Sequence, residues 1–241
     1  MTDTHPKTIV VTGAGSGIGR AVAQRFAAEG WQVALVGRTP GTLDETASAL
    51  EPSARPRCAA FSCDVSRPAE VEAMAAGVLA RFGSVAVLVN AAGINVPRRS
   101  LRELSLDDWH RVVDTNLNGA YYCIRAFLPS MRQQGDGTII NINSDVGKLA
   151  RDLAGPAYVT SKFGMTGLTQ QINAEERANG IRATSIFPRD VNTPLLDKRP
   201  QPPPAEVRAR MLQPEDLAAC VWLAATLPAR AIVDEIVLST R

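Results

Sequence analysis

The chain of 241 residues carries 26 basic and 24 acidic side chains, so its formal charge at neutral pH is +2. Hydrophobic residues make up 45% and charged residues 21% of the sequence, which is typical of globular proteins and argues against intrinsic disorder. The sequence contains no block of lysines or arginines that could bind a phosphate backbone, so no nucleic-acid partner is expected. No apolar stretch approaches the roughly 20 residues that span a bilayer, so no membrane association is expected.

The first residues and the cysteines favour a cytoplasmic location. Residues 1–7 lack the basic segment and apolar run of a secretory signal. Cys58, Cys63, Cys123 and Cys220 are scattered, and we expect buried free thiols in a reducing compartment. With only two histidines, the sequence offers few ligands for zinc, and no metal site is expected.

Apolar runs of strand length alternate with segments of helical period along the chain. Strands are predicted at 8–11, 32–36, 58–62, 85–89, 138–142, 181–187 and 232–238. Helices are predicted at 20–29, 43–50, 71–82, 105–134, 158–178 and 215–225. The fourth strand is apolar at every position, which indicates burial on both faces. This order predicts one α/β domain over residues 1–241, with a doubly wound, Rossmann-like, seven-stranded parallel sheet and helices on both faces.

A proline cluster at residues 200–204 lies in the long gap between the sixth strand and the last helix. Long gaps in compact domains are more often functional loops than domain boundaries. We therefore predict a substrate-loop insertion over residues 193–213.

A glycine-rich segment, Thr-Gly-Ala-Gly-Ser-Gly-Ile-Gly at residues 12–19, separates the first strand from the first helix. Glycines let the backbone turn tightly and approach a pyrophosphate, and the N-terminus of a helix offers unpaired N–H groups to it. Its position between a strand and a helix predicts a dinucleotide site. The cofactor contacts expected from this segment are Gly13, Ser16, Gly17, Ile18 and Gly19.

The end of the second strand favours NADP over NAD as the cofactor. Dinucleotide folds that bind NAD usually place a carboxylate there to hold the adenosine ribose. This sequence has Gly37 and Arg38 instead, and a guanidinium pairs with a 2′-phosphate. The alternative is that Arg38 merely ends a strand in solvent.

Two more strand ends lie at the same predicted edge of the sheet, where ligands of open α/β sheets bind. Asp64 follows the third strand and could accept a hydrogen bond from an adenine amino group, or it could cap the next turn. The segment Asn-Ala-Ala-Gly at residues 90–93 follows the fourth strand. The cofactor contacts expected from these two strand ends are Asp64, Val65, Asn90, Ala91 and Gly93.

Tyr158 and Lys162 lie four residues apart on a predicted helix and therefore share one face, which continues through apolar positions. Hydride transfer to a carbonyl leaves an alkoxide that needs a proton, and tyrosine can supply it. The ordinary tyrosine pKa of about 10 would have to fall by roughly three units to exchange protons readily near pH 7. A neighbouring lysine ammonium would push the pKa in that direction. The alternative is that the lysine stem packs while its amine reaches water.

Ser144 and Asn116 are further candidates for the reaction. Ser144 ends the fifth strand, where its hydroxyl could donate to the substrate oxygen, although such a serine is often a turn residue. Asn116 falls within an apolar helical stripe, and a buried amide must be satisfied. It could hold a water that links Lys162 to solvent, or it could be a structural amide at a helix kink.

Together these residues resemble the short-chain dehydrogenase/reductase family, through the glycine segment, residues 90–93, and Tyr158-Val-Thr-Ser-Lys162. The resemblance implies a catalytic tetrad of Asn116, Ser144, Tyr158 and Lys162. It also implies the strand order 3-2-1-4-5-6-7 and a homodimer or homotetramer, with the two long helices at its interface. After the sixth strand the resemblance implies further cofactor contacts from Pro188, Val191 and Thr193.

The chain departs from the family pattern at three places. Arg189 stands where the family usually has a glycine, beside the expected position of the nicotinamide amide. Ala91 replaces the usual second asparagine of the strand-four motif. The glycine-rich tail of many relatives is missing after the last strand, so a contact made by that tail is not expected.

The leading interpretation is an NADP-dependent oxidoreductase that interconverts a ketone and a secondary alcohol, with residues 147–155 and 193–210 around the substrate. Four cations in these segments raise the option of an anionic substrate, 3-oxoacyl or hydroxy-acid-like; the alternative is a solvated loop. They are Lys148, Arg151, Lys198 and Arg199.

Another class of function remains open, a non-catalytic NADP(H)-binding sensor or scaffold with the same fold. A nucleotide-sugar epimerase is disfavoured because little chain is left for a sugar domain.

Overall fold

The structure, a computed structural model, describes residues 6–241. Its strands are β1 (Thr8–Thr12), β2 (Gln32–Gly37), β3 (Cys58–Ser62), β4 (Val87–Asn90), β5 (Gly137–Ile142), β6 (Ile181–Pro188) and β7 (Glu235–Leu238). Its helices are α1 (Gly17–Ala28), α2 (Pro40–Ser48), α3 (Pro68–Phe82), α4 (Leu106–Val113), α5 (Gly119–Gln134), α6 (Pro156–Glu176), α7 (Ala205–Arg208) and α8 (Pro214–Thr226).

The seven strands form one parallel sheet in the order β3-β2-β1-β4-β5-β6-β7. The order reverses between β1 and β4, where Thr12 pairs with Asn90 at the carboxyl ends of both strands. Ligands of doubly wound sheets bind in the crevice at this reversal. The predicted Rossmann-like α/β fold and the strand order implied by the family resemblance are both confirmed.

Hydrophobic side chains fill a layer on each face of the sheet. Alternate residues of a strand point to opposite faces, so Ile9 and Val11 of β1 join one layer while Val10 joins the other. The first layer contains Phe26 of α1 and Val221 of α8, and the second contains residues of α3, α5 and α6. The central strands β1, β4 and β5 are buried throughout, which explains why their sequences show no polar alternation.

The predicted long helix at 105–134 is present but is interrupted. Ser105 caps its start by accepting a hydrogen bond from the backbone N–H of Asp108 at 3.1 Å. A π-helical turn, Asp114–Asn118, then separates α4 from α5. The sequence analysis treated residues 105–134 as one helix and did not predict this turn, although it left open a helix kink at Asn116.

Two other regions differ from the prediction. The last strand is shorter than expected and begins at Glu235 rather than at residue 232. The segment 193–213, predicted as a loop, contains a 3₁₀ turn, Pro194–Lys198, and the short helix α7.

Arg182 of β6 is almost fully buried and holds the end of α8 in place. Its guanidinium donates hydrogen bonds to the carbonyl oxygens of Ala225 and Leu227 at the C-terminus of that helix, at 3.4 and 2.9 Å. It also donates to the carbonyls of Pro228 and Ala231. A cation at the C-terminus of a helix satisfies carbonyls that have no partner within the helix.

Within residues 6–241, no helix has both the length and the hydropathy that crossing a bilayer requires. The same residues contain no group of three or more His, Cys, Asp or Glu side chains placed to hold a metal ion. The four cysteines are free thiols, of which Cys63 and Cys123 are buried.

Candidate active site

A cavity of about 900 Å³ opens at the carboxyl ends of the central strands. Its walls bring together most of the residues that the sequence indicated. These are Gly13, Ser16, Gly17, Ile18, Gly19, Ala91, Gly93, Ser144, Tyr158, Lys162, Pro188, Val191 and Thr193. The glycine-rich segment and the Tyr158–Lys162 pair, which are more than 130 residues apart in sequence, therefore face one space.

Close packing of the backbone requires glycines in this segment. Gly13 has a φ of +68°, and a Cβ there would lie 3.0 Å from the backbone of Ala91. A Cβ on Gly19 would lie 2.3 Å from the carbonyl oxygen of Gly13. Ser16 precedes the first turn of α1 without capping it through its side chain, so its hydroxyl and the helix N-terminus both remain available. These features fit a dinucleotide pyrophosphate.

Side chains of α1 and α2 hold the glycine-rich segment from behind, a role that the sequence analysis missed. Arg20 donates to the carbonyl oxygen of Gly15 at 2.6 Å and to Thr46 Oγ1 at 3.0 Å. Thr46 in turn donates to the carbonyl oxygen of Ala14 at 3.0 Å. Because Arg20 and Thr46 are 26 residues apart and lie on separate helices, no local pattern could have paired them.

The segment after β4 is fixed by Thr12 rather than by Asn90. Thr12 Oγ1 accepts hydrogen bonds from the backbone N–H groups of Ala91 and Ala92, both at 3.1 Å. Asn90 points into the sheet, where its Nδ2 donates to Asn141 Oδ1 at 2.9 Å. The buried side chain of Asn90 is thus outside the cavity wall, because it pairs with β5 instead.

Three other predicted cofactor residues also lie outside the cavity wall. Arg38 is exposed at the end of β2, with no hydrogen-bond partner for its side chain among residues 6–241. Asp64 accepts hydrogen bonds from the backbone N–H and the hydroxyl of Ser66, at 3.0 and 2.7 Å, which is the turn-capping alternative. Val65 is buried in the hydrophobic layer that contains α3 and α5. A cofactor contact by each of these residues stays a prediction.

Tyr158 and Lys162 are held together at the deep end of the cavity. Lys162 is 4% exposed, and its Nζ donates to the carbonyl oxygen of Ile142 at the end of β5, at 2.8 Å. The same Nζ lies 5.6 Å from the centre of the Tyr158 ring. Ser144 Oγ accepts from the backbone N–H of Val146 at 3.4 Å and donates to Asp145 Oδ1 at 3.2 Å. The three predicted reacting groups therefore share one wall.

The expected lowering of the tyrosine pKa is not found in the chain itself. Burial raises the pKa of Tyr158 to about 12, although interaction with the Ser144 hydroxyl lowers it and Asp145 raises it further. Burial also lowers the pKa of Lys162 to about 8. The sequence argument weighed the lysine charge but underestimated desolvation, which disfavours both the phenolate and the ammonium.

Asn116 lies in the π-helical turn and makes the contacts of a structural amide. Its Oδ1 accepts from the backbone N–H of Ile94 at 2.8 Å, and its Nδ2 donates to the carbonyl oxygen of the same residue at 3.0 Å. Nδ2 also lies 3.3 Å from Ser161 Oγ. The side chain thus ties the segment after β4 to the helix kink, and a water-holding role for it stays a prediction.

A chain of buried polar side chains runs behind the reacting groups, and the sequence analysis did not foresee it. Asn141 accepts from Asn90 and donates to Thr169 Oγ1, both at 2.9 Å. Thr169 lies 3.1 Å from Ser185 Oγ. Asn143, next to Ser144, donates to Thr166 Oγ1 at 3.0 Å and accepts from the Ser144 N–H at 3.0 Å. The network connects β4, β5, β6 and α6 directly under the wall formed by Ser144, Tyr158 and Lys162, which we call the catalytic wall.

Three of the four loop cations that suggested an anionic substrate are paired with carboxylates. Lys148 pairs with Glu235, Arg199 pairs with Asp190, and Arg151 pairs with Asp145 at 2.7 Å. Arg189, at the position of the family glycine, lies 3.6 Å from the same Asp145 carboxylate. Ion pairing thus reduces the positive charge that the sequence assigned to these loops.

Arg99 is a cation of the cavity wall that the sequence analysis did not single out. It is 7% exposed, and it donates to the carbonyl oxygens of Leu153, at 3.3 Å, and of Lys198. Its Nε is buried with no hydrogen-bond partner among the described residues. No local motif marks Arg99, because its burial comes from residues that are more than 50 positions away.

Comparisons with known proteins agree with this fold. A 3beta-hydroxysteroid dehydrogenase of Mediterraneibacter gnavus is 37% identical over 207 residues, which cover 86% of this chain and 72% of the relative. An alcohol dehydrogenase of Thermococcus sibiricus, complexed with 5-hydroxy-NADP, has a TM-score of 0.87 at 31% identity over 97% of this chain and 96% of that chain. A 3-ketoacyl-(acyl-carrier-protein) reductase of Brucella melitensis, complexed with NADH, has a TM-score of 0.87 at 27% identity over 98% of both chains.

The match to a whole protein family is the most direct of these findings. The family described as short chain dehydrogenase matches residues 7–203. This range includes the glycine-rich segment, the π-helical turn, Ser144 and the Tyr158–Lys162 pair. The chain therefore belongs to the short-chain dehydrogenase family and is an NAD(P)-dependent oxidoreductase that acts on CH–OH groups.

Proposed function

We propose that the protein is an NADP-dependent enzyme that interconverts a ketone and a secondary alcohol, with Tyr158 as the proton donor and acceptor. The observation that carries the proposal is the shared cavity. Tyr158, Ser144 and Lys162 line the same space as the glycine-rich segment. A carbonyl bound against Tyr158 would thus lie within reach of a dinucleotide held by that segment.

The residues around the glycine-rich segment would hold the cofactor. The N–H groups at the start of α1 and the Ser16 hydroxyl would bind the pyrophosphate, and Thr193 and Val191 would line the nicotinamide end. When bound, NADPH supplies the hydride. Arg38, exposed at the end of β2 where no carboxylate competes, would pair with the 2′-phosphate. This favours NADP, although similar structures carry both phosphorylated and unphosphorylated nicotinamide cofactors.

The catalytic wall would transfer one proton to the substrate in each turnover. Tyr158 keeps its proton at neutral pH, since its pKa lies near 12, and donates it to the oxygen of the reduced substrate. Ser144 would turn its single hydroxyl hydrogen from Asp145 to the same oxygen as negative charge develops there. Lys162, whose pKa is about 8, can gain or lose a proton near neutral pH and would return a proton to Tyr158. Asn116 would support that relay by fixing the helix kink.

The substrate would lie between residues 147–155 and residues 193–213. Both segments contribute to the cavity wall, so we propose that 193–213 is a substrate loop of one domain that spans residues 1–241. A 3-oxoacyl or hydroxy-acid-like substrate agrees with the name of the reductase from Brucella melitensis. We also infer a homodimer or homotetramer from the family resemblance, and a cytoplasmic location from the four free cysteines.

The test is NADPH oxidation with a panel of aldehydes, ketones, 3-oxoacyl esters and sugars. Turnover of ketones is expected, with a fall of about 10³-fold in kcat for Tyr158→Phe, because removal of a positioned proton donor costs 10²- to 10⁴-fold. Retained activity in Tyr158→Phe would contradict the assigned role. Tight NADPH binding without turnover of any compound would instead support a non-catalytic sensor or scaffold.

The cofactor preference is tested separately by comparing NADPH with NADH. Arg38→Ala should raise the KM for NADPH by about 10- to 100-fold, the equivalent of one charge-assisted hydrogen bond, and leave the KM for NADH unchanged. A clear preference of the unmodified enzyme for NADH would reject the assignment of NADP.

A further inference from the structure

Arg99 differs from the other three arginines that line the cavity. The charged side chains that line it include Arg151 and Arg189, which face the carboxylate of Asp145, and Arg199, which pairs with Asp190. Arg99 makes no ion pair with a carboxylate of the described residues, and its two hydrogen bonds are to backbone carbonyl oxygens. It is also more deeply buried than those three arginines.

A buried guanidinium without an anion is energetically unfavourable. Burial lowers the pKa of Arg99, and the charge of Arg199 lowers it further. A guanidinium carries five N–H donors, of which the carbonyls of Leu153 and Lys198 occupy two. The Nε–H is among those left without a partner. Buried charges are normally paired, so the remaining donors of Arg99 are suited to bind an anion.

The position of Arg99 places such an anion in the cavity that also contains Tyr158. The two groups are close enough for each to influence the ionisation of the other. Gly155 lets its segment pack against Arg99, because a Cβ at Gly155 would lie 2.4 Å from the carbonyl oxygen of Arg99 and 3.0 Å from its Cγ. Arg99 is 7% exposed and lines the cavity, so its guanidinium lies beside the substrate space and not on the outer surface.

We propose that Arg99 binds a carboxylate of the substrate, so that the compound converted at Tyr158 is an oxo acid or hydroxy acid. This inference rests on the proposed ketone–alcohol chemistry and names its substrate class. A carboxylate fits because its two oxygens match two parallel N–H donors of a guanidinium. A singly charged group also suits a wall in which Asp145, Asp152 and Asp190 lie nearby.

The test compares each oxo acid with its methyl ester. The probes are 3-oxobutanoate, 4-oxopentanoate and 5-oxohexanoate, which vary the spacing between the ketone and the carboxylate, and the rate measured is NADPH oxidation. The unmodified enzyme should prefer the acid at one spacing. In Arg99→Gln, kcat/KM for that acid should fall on the order of 100-fold, as expected for loss of a hydrogen-bonded charge pair. The loss with the ester should be at least tenfold smaller than the loss with the acid, because the ester carries no charge for Arg99 to pair with.

Two further variants distinguish binding from a structural role. Arg98→Gln removes the same charge from the exposed neighbouring residue, which is outside the cavity wall, and should leave the acid-to-ester ratio unchanged. Arg99→Lys keeps the charge and should retain part of the preference. Equal losses with acid and ester in Arg99→Gln would show that Arg99 only ties the loops together and would overturn the proposal. A preference for hydroxyacetone phosphate that depends on Arg99 would overturn the carboxylate assignment.

Failure of the chemistry can be separated from failure of the anion site. If no ketone of either kind is reduced, the proposed function fails, but the affinity of the NADPH-bound protein for 4-oxopentanoate can still be measured by calorimetry. Binding of the acid at least tenfold tighter than binding of its ester, lost in Arg99→Gln but kept in Arg98→Gln, would support the anion site alone. Equal affinities for the acid and the ester would contradict it.

Discussion

The catalytic wall of the cavity and the loops that cover it are stabilised by different interactions. Behind the wall, Asn141 is fully buried and hydrogen-bonded on both sides to buried neighbours. In the covering loops, Arg208 pairs with Asp197 at 2.6 Å, and both side chains keep solvent contact. Loss of a buried partner costs about 1–3 kcal/mol, whereas exposed ion pairs contribute about 0–1 kcal/mol.

This difference separates the rigid wall, to which we assign the chemistry, from the loops, to which we assign the choice of substrate. The buried network holds the ends of β5 and α6, and with them Ser144, Tyr158 and Lys162, in a fixed arrangement. The loops carry few buried hydrogen bonds, so changes in their sequence have small energetic consequences for the rest of the protein. Arg99 is the exception, because it joins both loops from a buried position.

The largest effect is expected for Lys162→Met, which tests the wall directly. Without the amine, proton return to Tyr158 is lost, and kcat should fall by about 10³-fold, within the range for acid–base groups. The same variant should be more stable, because a lysine pKa that falls from 10.5 to about 8 represents a burial cost of about 3 kcal/mol. Loss of the hydrogen bond to Ile142 offsets about 1 kcal/mol of this gain.

The stability gain of Lys162→Met should depend on pH in a defined direction. Between about pH 8 and 10.5 the unfolded chain binds a proton at Lys162 that the folded protein has lost. The free energy of unfolding of the unmodified protein therefore rises with pH in this window, and its deficit relative to the variant shrinks. Urea unfolding at pH 7.5 and 9.5 measures both values. A pH-independent difference would show that burial does not shift the lysine pKa.

An intermediate effect is expected for Asn141→Ala. The substitution leaves Asn90 Nδ2 and Thr169 Oγ1 without their buried partner, and the free energy of unfolding should fall by about 3 kcal/mol. Asn179→Ala is the matched control, because Asn179 is exposed and its side chain bonds only to Glu176 among residues 6–241; it should cost less than about 1 kcal/mol. Equal losses of unfolding free energy in the two variants, measured with denaturant, would mean that the buried network does not stabilise the wall.

The same contrast explains which features could be predicted from sequence. The alternation of strands and helices, the glycine-rich segment and the Tyr158–Lys162 face depend on short-range patterns, namely apolar period, glycine spacing and a four-residue helical step. The strand order in the sheet followed only from the family resemblance. The Asn90–Asn141–Thr169 network and the burial of Arg99 depend on side chains brought together from distant positions. Asparagine at a strand end has several possible partners, and no spacing rule selects among them. The effect of burial on the Tyr158 pKa was missed for the same reason.

The smallest effect is expected for Lys148→Gln, at the edge of the covering loops. Lys148 pairs with Glu235 of β7 and lies 4.6 Å from the Phe187 ring centre, but both charged groups are more than a third exposed. Solvent and salt screen such a pair, so the loss should be below about 1 kcal/mol and should shrink further in 1 M NaCl. A double-mutant cycle with Glu235→Gln isolates the pair itself. A coupling energy above about 2 kcal/mol that persists in high salt would show that this ion pair stabilises the loops as strongly as buried hydrogen bonds stabilise the wall.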